Sequence, residues 1–223
     1  PEFDPANLLA LSRFSGDDAI ETGPRAALGL HWRRLGNAGS VTSLTFGRVI
    51  RDTGDAQFTR TSGLQTRQSD WLLAGSWQST DGLRIEARTL LSDSFDTNMT
   101  ETRVGWQNDT LTLDAGYIWQ NADTDIGRLR NISEWSFDAA VQVTPAWNVR
   151  FDTRYDVIAD APARAGIGIE WRNECVTVDL SASRRYTSSD TVAASTDYGL
   201  SVALAGFSTG RSGPAPVTRC TNE

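Results

Sequence analysis

The sequence predicts an all-β protein, an antiparallel transmembrane β-barrel present here as about eleven long strands, and three observations carry that reading. Apolar and polar residues alternate with a period of two over stretches of 10 to 13 residues, about twice the length of an ordinary globular strand. A tilted membrane-crossing strand needs about 9 to 11 residues, so these lengths suit a membrane barrel better than a sandwich. The connections alternate between short and generally longer ones, as a barrel does when it has short turns at one end and long loops at the other.

The strands follow in order. Residues 22–34 and 40–51 flank a turn at 35–39 rich in Gly and Asn, and residues 69–79 and 82–92 flank Thr80 and Asp81. Residues 98–107 and 110–120 flank Asn108 and Asp109, and 132–143 and 147–158 flank 144–146 with its Pro145. Residues 162–172 and 175–186 flank Asn173 and Glu174, and 196–207 is the last strand. These are the residue types tight hairpins require. The links 52–68, 93–97, 121–131, 159–161 and 187–195 are rich in Asp, Thr, Ser and Gly, and two of them are short for the long side. The clearest strand puts Trp147, Val149, Phe151, Tyr155 and Val157 on one face and Asn148, Arg150, Asp152, Arg154 and Asp156 on the other. Residues 163–172 repeat this, with Ile167, Ile169 and Trp171 opposite Arg164, Gly166, Gly168 and Glu170, and so do residues 134–143. One face is greasy and the other must be wet. Trp71, Trp77, Trp106, Trp119, Trp135, Trp147 and Trp171 lie mostly on the greasy face near strand ends, where an aromatic girdle meets the membrane interface.

Composition narrows the function. The chain has 223 residues, 21 basic against 28 acidic, for a net charge of -7, and every basic residue is Arg. An acidic chain without a basic cluster is a poor partner for nucleic acid, and none is expected. Its apolar runs are far shorter than the roughly 20 residues of a membrane helix. One His and two Cys leave no Cys-rich or His-based zinc set, so neither metal nor cofactor is expected. Any His-activated nucleophile has to use His31. His31 alternates with Leu30 and Trp32 and so faces the wet side near the 35–39 turn, where a lumen hydrogen bond is the better reading. No enzyme is expected. The chain opens at Pro1 with no n-region or h-region, which favours part of a longer protein over a processed one.

Several segments resemble the carboxyl-terminal half of the LptD family, the lipopolysaccharide-assembly or organic-solvent-tolerance proteins, in its alphaproteobacterial form. They are Phe3-Asp4-Pro5-Ala6-Asn7-Leu8-Leu9, Arg13-Phe14-Ser15-Gly16-Asp17-Asp18, Glu21-Thr22-Gly23, Ser69-Asp70-Trp71-Leu72-Leu73-Ala74, Glu170-Trp171-Arg172-Asn173-Glu174-Cys175 and Thr196-Asp197-Tyr198-Gly199-Leu200-Ser201-Val202. The resemblance implies an outer-membrane translocon that takes lipopolysaccharide from a periplasmic bridge and inserts it into the outer leaflet through a lumen and a lateral seam. It also implies an LptE-like lipoprotein plugging the lumen. Measured against that family the sequence is expected to be a fragment, without the signal peptide, the periplasmic jellyroll and the first barrel strands. Residues 1–20 are then expected to be an extracellular loop segment, 21–207 the carboxyl-terminal part of the barrel, and 208–223 a periplasmic tail. Rival readings are a generic porin-like or autotransporter channel and a soluble β-rich binding module.

The candidate residues follow from this layout. Arg150, Asp152, Arg154, Asp156, Arg164 and Glu170 are expected to be lumen charges, either a track for an anionic substrate or an internal ladder of opposite signs. Arg184 and Arg185, near the extracellular end, are read either as partners for lipopolysaccharide phosphates or as solvated charge. On the last strand Tyr198, Leu200, Val202 and Leu204 face lipid and Gly199, Ser201, Ala203 and Ala205 face the lumen; the resemblance makes this strand one side of the seam. Cys175 and Cys220 are disulfide candidates on the periplasmic side. The tail is long enough for direct pairing, while the family's habit of tying barrel to periplasmic domain leaves a partner outside this sequence open.

Overall fold

A computed structural model describes residues 3–14, 20–55, 57–187 and 193–204. Within them a single antiparallel sheet carries eleven strands in sequence order, each bonded to its chain neighbours. They are β1 (Arg25–Leu35), β2 (Val41–Arg51), β3 (Trp71–Gln78), β4 (Leu83–Leu91), β5 (Thr97–Gln107), β6 (Leu111–Gln120), β7 (Ile132–Thr144), β8 (Trp147–Asp156), β9 (Ala161–Arg172), β10 (Val176–Arg185) and β11 (Ser195–Leu204). Strands β1 and β11 are the edges and are not paired with each other among the described residues. The sheet is thus an unclosed barrel wall. No described helix is long and apolar enough to cross a membrane.

Turn chemistry explains the short end. Asn108 Oδ1 accepts from the amides of Thr110 and Leu111, and Asn173 Oδ1 accepts from those of Cys175 and Val176, closing both hairpins through Asx geometry. Thr144 Oγ1 does the same for Ala146 and Trp147. Gly82 stands at φ +84, where a Cβ would lie 1.9 Å from the Gln107 carbonyl oxygen, so this turn needs glycine.

Most strand ends shift from the sequence reading by one to three residues, and two of these shifts have a clear local reason. β1 begins at Arg25 because Gly23 has φ +83 and Pro24 lacks an amide hydrogen. β8 stops at Asp156, whose Oδ1 accepts from the Ile158 and Ala159 amides and turns the chain. β11 is described to Leu204, so the expected continuation through Ala205 to Phe207 lies outside the described residues.

Register turns the alternation into two faces. One row runs Trp32, Leu44, Gly75, Ala87, Thr102, Tyr117, Trp135, Tyr155 across β1 to β8. The neighbouring row on the opposite face runs His31, Thr45, Ala74, Arg88, Glu101, Ile118, Glu134, Asp156. Every tryptophan falls on the first, outer face. Trp77, Trp106, Trp147 and Trp171 sit toward the short turns, and Trp71, Trp119 and Trp135 toward the long links. Leu30 and Leu200, at 69% and 67% exposure, show how bare the outer face is. So extensive an apolar surface is stable only against hydrocarbon.

Among the described residues the buried hydrophobic core lies on the inner face, at the long-link end of β2 to β5. Phe3 and Leu8 pack there with Val49, Phe58, Leu64, Leu72, Leu90 and Met99. Residues 3–14 are therefore folded over the inner face, a placement that the reading of 1–20 as a loop segment did not contain. Leu8 occupies a notch made by two glycines, since a Cβ on Gly29 or Gly47 would stand 2.7 or 2.6 Å from its Cδ2. Arg88 Nη1 donates to the Phe3 carbonyl and fixes the segment from below.

Candidate functional site

The inner face is a wall of mixed charge. Arg88 pairs with Glu101 at 2.6 Å, and Arg103 meets the same carboxylate. Arg84 lies 3.5 Å from Asp114, Arg154 lies 3.7 Å from Glu134 and Arg164 lies 3.4 Å from Asp152. Arg150 bridges Glu170 at 3.5 Å and Asp179 on β10. Directly opposed positions often carry like charge: Asp114, Asp138 and Asp152 share one row, and Arg154 faces Arg164. Arg88 and Glu101 are themselves opposed, and Arg84 and Asp114 lie in one row across Gly105, whereas the ion pairs of β7 to β10 run diagonally between rows. Gly166 and Gly168 make room for them, because a Cβ at Gly166 would stand 2.3 Å from Asp152 Oδ1 and one at Gly168 would stand 3.3 Å from Arg150 Nε. Apart from Arg88, the arginines of these pairs are 45 to 68% exposed and keep their heads in water, a setting in which each pair contributes about 0 to 1 kcal/mol. Their effect is to hold a hydrated wall of both signs. Five of the six expected wall charges join this network; Asp156 shares their face, but its carboxylate caps the 156–159 turn.

His31 lies on the same face, with Nδ1 2.9 Å from Thr45 Oγ1. It borders a hollow between residues 4–6 and the wall, together with Ser43, Ser76, Glu86, Arg88 and Arg103. No cluster of three or more His, Cys, Asp or Glu suited to a metal occurs among the described residues.

At the long-link end the structure assembles groups that sequence reasoning missed. The Glu21 carboxylate accepts from the Arg13 amide at 2.9 Å, from Arg13 Nη1 at 3.0 and 2.9 Å, and from Arg51 Nε and Nη2 at 3.3 and 3.1 Å. Arg25 Nε lies 3.6 Å away. The side chains of Arg13 and Glu21 are 1% exposed and that of Arg51 3%. Arg13 also donates to the Leu8 carbonyl and Arg51 to that of Leu64, so one carboxylate ties residues 3–14, the 52–68 link and β2 together. Burial alone raises the Glu21 carboxyl, but hydrogen bonds and charge from Arg13 and Arg51 outweigh it and hold the group below the usual glutamate range. Burial in turn pulls the Arg13 guanidinium down, against the opposing pull of Glu21. The one sequence signal was that Arg13 and Glu21 both fall in family-like segments.

A second link closes the loops. Asp123 is fully buried, and its Oδ2 accepts from the amide and the hydroxyl of Thr61, at 2.9 and 2.8 Å. Burial pushes its carboxyl up, but these bonds win and leave it below the usual aspartate range. Gln65 reaches Asp125 at 2.9 Å beside it.

On β11 the register sets Tyr198, Leu200 and Val202 beside Ala182, Leu180 and Val178 on the outer face, and Gly199 and Ser201 beside Ser181 and Asp179 on the inner. Arg184 is on the outer face and Arg185 on the inner, opposite Arg164. Cys175 follows the Asn173 turn and is disulfide-bonded; Cys220 lies outside the described residues.

A two-faced, unclosed wall of strands with a hydrated inner side is the setting in which comparison with known proteins becomes informative. The family model of LptD, LPS transport system D, matches residues 1–134. The chain belongs to the LptD family. As an LptD-family member it is an outer-membrane β-barrel protein and a component of lipopolysaccharide transport, with lipopolysaccharide as cargo and other Lpt proteins as partners. No curated protein matches it. Among solved structures it is similar to a triple mutant of the Rhodopseudomonas blastica porin, at 14% identity and a TM-score of 0.46, over 83% of this chain and 81% of the porin. A double mutant of that porin gives 11% identity and a TM-score of 0.46, over 82% and 80% of the two chains.

Proposed function

We propose that this LptD-family chain forms part of the barrel through which lipopolysaccharide enters the outer leaflet, moving along the charged inner wall and leaving sideways past the edge of β11. Membership of a lipopolysaccharide-transport family is the observation that carries this reading. The wall suits such cargo: it is wet, bears both signs and presents Arg84, Arg103, Arg150 and Arg164 about half exposed or more, within reach of an anionic amphiphile. The inward residues of β11, Gly199, Ser201 and Ala203, are small and leave room beside the edge. In this reading residues 3–14 and the long links lie at the extracellular end and the short turns at the periplasmic end. A lipoprotein of LptE type would plug the lumen, a periplasmic bridge would deliver the cargo, and no catalytic step is needed.

A photocrosslinking amino acid at Ser201, on the inner face of β11, tests the proposal in cells making the complete protein. Lipopolysaccharide adducts at Ser201, and none at Trp135 on the distant outer face, are expected. A generic porin-like channel would instead give no adduct at Ser201 and steady conductance of small solutes in planar bilayers.

A further inference from the structure

The outer face of β9 to β11 differs from the rest of the apolar surface. Ala182 stands in one row between Ile167 and Tyr198, and Leu180 in the next between Ile169 and Leu200. The small side chain in the centre leaves an apolar groove walled by Ile167, Ile169, Leu180, Tyr198 and Leu200. One row toward the long links, Arg184 lies on this same face between Ala165 and Thr196. Its guanidinium sits 5.1 Å from the Tyr186 ring centroid and has no carboxylate partner among the described residues. The other outer-face arginines of the described strands differ. Arg48 is buried and held by Asp93 at 2.9 Å, and Arg34 is near the short-turn end opposite Thr42.

A bare cation above an apolar groove is the complement of an amphiphile with an anionic head. The planar guanidinium fork suits a phosphate, and its stacking on Tyr186 holds it at the level where a membrane surface becomes polar. From Arg184 to Val178 the strand advances about 20 Å at roughly 3.4 Å per residue, which at a barrel tilt of about 40° is about 15 Å along the membrane normal, the hydrocarbon depth of one leaflet. The groove is continuous with β11, whose Tyr198 is 82% exposed.

We propose that this groove is an external docking site for lipopolysaccharide, with an acyl chain lying over Ala182 and a phosphate on Arg184. It receives the lipid as it passes the β11 edge, so the inference rests on the transport reading above. The site is a first resting place on the outer leaflet, distinct from the inner wall.

The test uses the complete protein with its partners in cells, with a photocrosslinker at Ala182 and, separately, at Ser201. Lipopolysaccharide adducts are expected at Ala182. They should fall about tenfold in Arg184→Glu and in Arg184→Gln and persist in Arg184→Lys, with Ser201 adducts unchanged and heat-modifiable barrel mobility retained. Phospholipid adducts at Ala182, no adduct there, or lipopolysaccharide adducts indifferent to Arg184→Glu would overturn the docking site while Ser201 capture keeps the transport reading. Absence of adducts at both positions would overturn both.

Discussion

Replacing Glu21 by Gln tests whether one carboxylate holds residues 3–14 against the inner wall. The change keeps the side-chain shape and removes the charge. Arg13 and Arg51, 1% and 3% exposed, are then left as two buried cations sharing a neutral acceptor. Removing one partner of a buried ion pair costs about 3 to 5 kcal/mol, and the retained amide oxygen argues for the lower end. At about 1.4 kcal/mol per factor of ten, ~3 kcal/mol raises the released population of the segment roughly a hundredfold. Leu8 donates its amide to Asp4 and Arg13 donates its own to Glu21, so both amides report release directly. Hydrogen exchange followed by mass spectrometry should show peptides from residues 3–14 exchanging about a hundred times faster, while those from β7 to β10 do not change. The double variant with Arg13→Met should lose less than the sum of the single changes, because the second substitution removes a stranded charge. The effect should also follow pH. The folded Glu21 carboxyl lies below its unfolded value, so its contribution is complete above the ordinary glutamate range and is lost as pH falls through the folded value. Unchanged exchange in the Glu21→Gln protein, with an intact barrel, would refute the argument.

Other perturbations probe the remaining contacts. Asp123→Ala leaves the amide and hydroxyl of Thr61 without their acceptor, at about 1 to 3 kcal/mol, and should speed proteolysis within both the 52–68 and 121–131 links at once. Gly47→Ala puts a Cβ 2.6 Å from Leu8 Cδ2 and 2.5 Å from the Leu28 carbonyl oxygen, so residues 3–14 should lose protection at a cost of about 1 to 3 kcal/mol; an unchanged exchange profile counts against the notch. Single cysteines placed in 52–68 should be labelled on intact cells, in the complete protein without its native cysteines, and those in 35–39 or 144–146 should not. The reverse pattern would invert the topology. Cys175 is expected to pair with Cys220, and non-reducing peptide mapping should recover that cross-link; a cross-link from Cys175 to another segment would reassign the partner.

The strands were legible because alternation is a local property. Trp147 to Tyr155 shows its two faces in nine residues, and β8 follows that pattern wherever its neighbours lie. Turn residues such as Asn108 and Asn173 likewise act through their own side chains on amides two or three positions away, and so mark hairpins without help from the rest of the chain. Wall charge was legible for the same reason, but its partners were not. Arg150 meets Glu170 and Asp179 because register between strands, which alternation alone leaves free by steps of two, sets which rows align.

What only the tertiary structure decided is how segments with no alternation of their own are used. Residues 3–14 read as a loop, yet Phe3 and Leu8 join the inner core, because glycines on two neighbouring strands, Gly29 and Gly47, come together there and leave a notch for Leu8. Glu21 gathers Arg13 and Arg51, eight and thirty residues away, and Asp123 holds Thr61 across sixty-two. The sequence by itself therefore determined the strands, their greasy and wet faces and the family they resemble. The closure of the long-link end rests on a few buried polar contacts between distant residues, and such contacts become specific only once the sheet has brought their partners within hydrogen-bonding reach.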